Sequence, residues 1–299
     1  MWAQRRVLAL AWSGLVLAVL GAGLLAYATR PSIPAKAAVA PRLHAVSVAD
    51  VDALARTLEA AGLLAALQSG TVQALPRLGL SRIPRRWTEL GDVDKRKRLF
   101  IATMLPLVLA ANESIAHDRD RLAALLKAGA APSPAARAWI RSLAAGYRTD
   151  PDNLNRLLAR VDTIPPSLAL AQAAIESGWG TSRFARQGNA LFGQWTWDPG
   201  AGLKPRRARD ELGDYAIKRY ASLYASVADY MRNLNTQKAY AEFRQLRARQ
   251  RAKGGQPSGS AMAATLRHYS EEGAAYVRKL VTVIKTNNLT RLDNARLAR

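Results

Sequence analysis

The sequence predicts a mainly α, α+β protein: a body of helices with a short β-hairpin lobe, following an N-terminal apolar span and a helical extension. Three observations carry this reading. Apolar residues recur at helical spacing through much of the chain after residue 45. The segment from Leu168 to Ile175 has almost no polar face, as in a helix buried all round. The stretch from Asp198 to Tyr220 gathers Asp210, Glu211 and Asp214 around Gly213, a composition suited to the turn of a hairpin.

Taken in order, Arg5 and Arg6 precede an uncharged apolar run over residues 7–28. Spanning a bilayer takes ~20 apolar residues, and a signal peptide's apolar region is ~7–15, so the length favours a retained anchor over residues 1–30. Small residues around Ala35-Lys36-Ala37 leave cleavage, and a secreted product, as the alternative. The two N-terminal arginines favour a cytoplasmic N-terminus, which places the body in the periplasm or outside the cell. Residues 31–45, rich in proline and alanine, read as a stalk. Residues 46–148 read as a helical region: one amphipathic helix from Val46 to Leu67, a basic patch over Arg82 to Arg86, a core helix from Leu99 to Ala111, and further helices over Asn112 to Ala128 and Pro134 to Tyr147. At 13 residues with an internal Pro106, the core helix is too short to cross a membrane. A domain over residues 149–290 follows, with a helix beginning near Leu154. Residues Arg244 to Ser260 read as a flexible basic loop, and residues 291–299 as a basic tail.

Within that domain, Pro165 and Pro166 suit the first turn of a helix, where a missing N–H costs nothing. Gly178 and Gly180 suit its end. Glu176 therefore falls in the last turn of an apolar helix, where both the helix dipole and desolvation disfavour its charge. A carboxylic acid kept protonated near neutrality can protonate a leaving oxygen, the role of the acid in glycoside cleavage. The competing reading is a structural Glu, capping amides or paired with Arg183 or Arg186. Asn189, Phe192, Gln194, Trp195 and Trp197 follow at once, and with Trp179 they offer the aromatic faces and amide dipoles of a sugar-binding groove.

The run Ala171-Gln172-Ala173-Ala174-Ile175-Glu176-Ser177-Gly178-Trp179-Gly180, then Asn189-Ala190-Leu191-Phe192-Gly193, resembles the bacterial glucosaminidase family, which includes the glucosaminidase domain of the flagellar rod hydrolase. The likeness is greatest to its Bax-type members, and it continues through Tyr220-Ala221-Ser222-Leu223, Ser226-Val227-Ala228-Asp229-Tyr230 and Asn233-Leu234-Asn235-Thr236 to Tyr276-Val277-Arg278-Lys279-Leu280. The resemblance implies a lysozyme-like fold, hydrolysis of peptidoglycan glycan strands, and Glu176 as the catalytic acid. It also implies a second carboxylate on the hairpin, for which Glu211 is the first candidate and Asp214 the second. A tyrosine facing the cleft is implied as well: Tyr269 is the preferred carry-over, while Tyr276 is a groove candidate that also fits a helix core with Leu280 and Val283. No cofactor is implied. His268 has no metal-ligand companion nearby, so no metal site is expected.

Of the 299 residues, 44 are Lys or Arg and 22 are Asp or Glu, a formal net charge of +22. Such a charge attracts nucleic acid. No nucleic-acid-binding motif accompanies it, and the apolar span argues against a soluble DNA binder. Peptidoglycan peptides and envelope polymers are anionic partners that fit better, with the membrane engaged through residues 7–28. Three readings follow: an endo-β-N-acetylglucosaminidase, a muramidase or lytic transglycosylase using the same acid, or a noncatalytic wall-binding scaffold.

Overall fold

A computed structural model describes residues 43–129, 131–198, 200–205 and 215–299. The expected anchor over residues 7–28, Glu211 and Asp214 lie outside the described residues. Helix α1 (Val51–Ala60) starts at Asp50, whose carboxylate accepts the backbone N–H groups of Asp52 and Ala53. Gly62, at φ 71°, then turns the chain into α2 (Leu63–Ser69), so the single helix expected over Val46 to Leu67 is two. Before them, β1 (His44–Val46) pairs in parallel with β2 (Leu78–Leu80).

The two helices expected over Leu99 to Ala128 are one, α3 (Val93–Ala128), capped by Asp92. Pro106 lies inside it and is buried. An internal proline costs ~3 kcal/mol in an isolated helix, so burial of the residues around it is what carries the helix through. Although α3 is long and apolar enough to cross a membrane, 67% of its most apolar window is buried within the protein. It packs against α6 (Pro166–Ser177) and α8 (Leu223–Thr236), and its own Phe100, Met104 and Val108 share one core with Leu168 and Ala171 of α6 and Tyr230 of α8. The helical extension and the domain that follows it thus share one core. The far half of α3 forms a second, smaller core with α4 (Pro134–Gly146) and α5 (Leu154–Arg160).

Past α6 comes the short α7 (Arg183–Gly188), then β3 (Trp195–Thr196), β4 (Gly202–Leu203) and β5 (Ala216–Lys218). The expected hairpin is a three-stranded antiparallel sheet, with β5 between β3 and β4 and Ile217 opposite both Trp195 and Leu203.

The expected basic loop over Arg244 to Ser260 is instead largely helix: α9 (Ala241–Ala252) occupies its first half, and α10 (Gly259–Ala263) begins at its end. Phe243, Arg244 and Arg247 form the buried face of α9. Two guanidiniums donate there to carbonyl oxygens, Arg244 to Leu234 and Gln237, and Arg247, through its terminal nitrogens, to Ala159, Asp162 and Thr163. Arginine read as solvent-facing concealed that periodicity, because its fork can be buried where carbonyls converge. The tail is likewise packed. Leu292, Ala295 and Leu297 are buried, and the backbone of Arg296 and Ala298 pairs with Val72 and Leu75. Helix α11 (Ala274–Thr286) lies between α10 and this tail, against α6.

Candidate active site

Helix α6 ends by the fold's own geometry. Gly178 adopts φ 58°, and the Trp179 N–H reaches back to the Ala174 carbonyl at 2.8 Å, closing a Schellman turn. Trp179 itself has φ 56°, a conformation that strains a non-glycine residue. Three contacts hold it there. The Trp87 indole N–H donates to its carbonyl at 2.8 Å, Phe100 meets its ring edge-on at 5.7 Å, and the Lys97 ammonium lies 5.8 Å from the ring centroid. A side chain at Gly180 would come within 2.9 Å of the Trp87 Nε1. The helical extension therefore shapes the loop that follows Glu176.

Glu176 occupies the last turn of α6 and is half-buried. Its Oε1 accepts the Tyr276 hydroxyl of α11 at 2.8 Å. Burial pushes its pKa from 4.5 to about 7; the Tyr276 hydrogen bond opposes this, nearby Glu272 reinforces it, and Lys279 opposes it weakly. Arg183 and Arg186, the ion-pair partners of the competing reading, donate instead to the carbonyls of Lys204 and Thr181. Oε2 points to the Gly193 side, where a built Cβ would stand 4.0 Å away. Gly193 has φ 63°.

Behind Tyr276 the ring of Tyr269 stacks at 5.5 Å, followed by Tyr240 at 5.9 Å. The phenol on the acid is thus that of Tyr276, and Tyr269 supports it from behind, its own hydroxyl 3.4 Å from the Phe192 carbonyl. Burial raises all these phenols well above their ordinary pKa, so they are neutral donors. Phe192, expected in the groove, is 1% exposed and stacked on Tyr230 at 3.9 Å; it is a core residue.

The β-lobe begins two residues past Gly193, at Trp195. Trp195 is partly exposed, stacks on Tyr215 at 4.6 Å and meets Trp197 at 6.3 Å. Asn189 adopts φ 52° to end α7, and its amide donates to the Tyr220 carbonyl. The Tyr220 hydroxyl lies 2.7 Å from Gln194 Oε1 and 2.8 Å from Asp229 Oδ2, and Lys218 reaches the same Asp229 oxygen at 2.6 Å. These contacts tie the lobe to α8. His268 is exposed, and among the described residues no cluster of His, Cys, Asp or Glu is arranged to hold a metal.

Sequence reasoning passed over Gln172, although a signal for it was present. It is a polar residue in an apolar helix, one turn before Glu176 and on the same face. It is fully buried, and it joins Tyr276 to Tyr230. The Lys218–Asp229 tie was also missed, since it depends on how β5 lies against α8.

With the site in place, the comparisons define its class. The family described as mannosyl-glycoprotein endo-beta-N-acetylglucosaminidase matches residues 152–289, a span that contains α6, the β-lobe and α11. Protein bax of Escherichia coli K12 is 34% identical over 222 residues, covering 69% of this chain and 77% of that protein. The catalytic domain of the autolysin Auto from Listeria monocytogenes is 22% identical with a TM-score of 0.34, covering 58% of this chain and 96% of that one. The chain belongs to the bacterial glucosaminidase family, near its Bax-type members, and carries a glycoside-hydrolase-type domain.

Proposed function

We propose that the protein is an endo-β-N-acetylglucosaminidase that cuts the bond between N-acetylglucosamine and N-acetylmuramic acid in peptidoglycan, using a lysozyme-like cleft and Glu176 as general acid. The observation that carries this reading is the Glu176 carboxyl itself, raised to about 7 by burial, with one oxygen held by Tyr276 and the other directed to the Gly193 side. In the proposed step, the Oε2 proton passes to the glycosidic oxygen as the C1–O bond breaks and the leaving sugar departs as an alcohol. Water then adds to C1, and its proton restores the acid. Glu211, or Asp214 in its place, is proposed to orient that water from the segment joining β4 to β5. If neither does so, the substrate's own N-acetyl oxygen bonds to C1 as the leaving sugar departs and water then opens that ring, or the C6 hydroxyl bonds to C1, gives up its proton and leaves an anhydro sugar. Trp179 and Trp195 are proposed to stack against sugar faces, with Gln194 addressing hydroxyls. Residues 7–28 are proposed to anchor the protein, with the body acting outside the cytoplasm and its positive charge drawing it to the anionic wall.

Product identity tests the bond assignment. Purified peptidoglycan digested with the protein, reduced and analysed by mass spectrometry is expected to show reduced N-acetylglucosamine ends. Reduced N-acetylmuramic acid ends would assign the activity to a muramidase, and anhydro ends to a lytic transglycosylase.

A further inference from the structure

Three hydrogen bonds run in one direction and end on Glu176. The Tyr230 hydroxyl donates to Gln172 Oε1 at 2.6 Å. Gln172 Nε2 donates to the Tyr276 oxygen at 3.0 Å, and Tyr276 donates to Glu176 Oε1 at 2.8 Å. The polarity follows from the inventory of donors and acceptors. Tyr230 is fully buried and, among the described residues, the Gln172 carbonyl is the acceptor its O–H has. That fixes the amide with its nitrogen toward Tyr276. The lone pair of Tyr276 is then occupied, and its proton is committed to Oε1 of Glu176.

From this arrangement we propose that Gln172 and Tyr230 are positioning residues which, acting through Tyr276, confine the acidic proton of Glu176 to Oε2, the oxygen that faces substrate. This deepens the hydrolase reading and rests on it for its consequence in catalysis, though not for its test. An unrestrained carboxylic acid has two oxygens that can carry the proton, and with Oε1 protonated the hydrogen would point toward Tyr276, away from any glycosidic oxygen. The relay removes that unproductive form. Linked hydrogen bonds also polarise one another, so the first two strengthen the third, which stabilises the ionised acid.

The groups facing Glu176 set the background. They are Tyr276 and Lys279 of α11, Glu272 just before α11, Tyr230 of α8, Tyr240 just before α9, and Tyr269. Tyr230→Phe keeps the ring that stacks on Phe192 and removes the donor that orients Gln172. Gln172→Met keeps the length and removes both relay contacts.

The experiment uses the full-length protein in detergent. The ionisation of Glu176 is followed by its carboxyl infrared band against pH, with Glu176→Gln as the blank, and kcat and KM are measured on peptidoglycan across the same range. Either folded variant is expected to titrate higher by about half a pH unit or more. Its kcat is expected to fall about tenfold with KM held within twofold, and the alkaline limb of its rate profile to move upward with the carboxyl. Titration within the error of the unaltered protein in both variants would overturn the proposal, as would a loss confined to KM. Because the band is read without substrate, an absence of glycan cleavage in the unaltered protein would count against the hydrolase reading and leave the relay to be decided by the titration.

Discussion

Burial sets the protonation of Glu176, and that same burial has a cost in stability. In the unfolded chain the carboxyl titrates near 4.5, and in the fold at about 7, so between those values the native state holds the extra proton. Stability therefore falls as pH rises through this window, and above it the ionised group costs up to ~3 kcal/mol, less whatever solvent screening its partial exposure allows. Glu176→Gln is expected to match the unaltered protein near pH 4 and to be more stable at pH 8, a difference read from urea unfolding at the two values. The rate should show the complement, falling above about pH 7 as the acid ionises. The place of Glu176 in the last turn of α6 was legible in the sequence, because Pro165 and Pro166 mark the start of an apolar helix and Gly178 and Gly180 its end. The choice between Tyr269 and Tyr276 was not legible, since both are apolar enough to pack and only the approach of α11 to α6 decides which hydroxyl meets the acid.

Two contacts join separate elements, one beside the site and one away from it. The Trp87 indole, from the chain before α3, holds the Trp179 carbonyl. Trp87→Phe is expected to cost ~2–4 kcal/mol in stability by denaturant unfolding, as a hydrogen bond is lost and the smaller ring leaves a cavity where the indole is 1% exposed. It should also raise KM more than it lowers kcat, because it frees the loop without touching the acid. At the far end of the fold, Asp162 is 2% exposed and faces three arginines: Arg251 at 2.7 Å, Arg247 at 3.4 Å and Arg119 at 3.6 Å. Asp162→Ala leaves the buried Arg247 guanidinium without its carboxylate and removes the partner of the part-exposed Arg119 and Arg251, and is expected to cost ~3 kcal/mol, read as a lowered urea midpoint. At this scale the sequence revealed helices wherever their apolar stripe was unbroken. It misled where arginine supplied the buried face, in α9, where the change from apolar to polar composition at Asn112 did not end α3, and where Gly62 divides α1 from α2.

At the scale of the molecule, one core joins the extension to the glucosaminidase domain, and the last residues close it. Asp293 accepts the Ser167 N–H and hydroxyl at 2.8 and 2.9 Å and the Gly259 N–H at 3.2 Å, fastening the start of α6 and α10. Ending the chain after Leu292 is expected to lower the thermal midpoint by several degrees, roughly the effect of losing a few kcal/mol in a chain of this size. The basic composition of residues 291–299 hid this role, because the pairing with Val72 and Leu75 is made by backbone rather than by side chains. Glu176 is proposed to donate the proton that breaks a glycan bond. That role is tested most directly by comparing release of soluble fragments from purified peptidoglycan by the unaltered protein and by Glu176→Gln, with wall binding measured in parallel. The expected result is a loss of a hundredfold or more in release, on the scale of general acid catalysis, with binding retained. Near-equal release by the variant would contradict the assignment of the acid, and binding without release by either protein would favour a wall-binding scaffold.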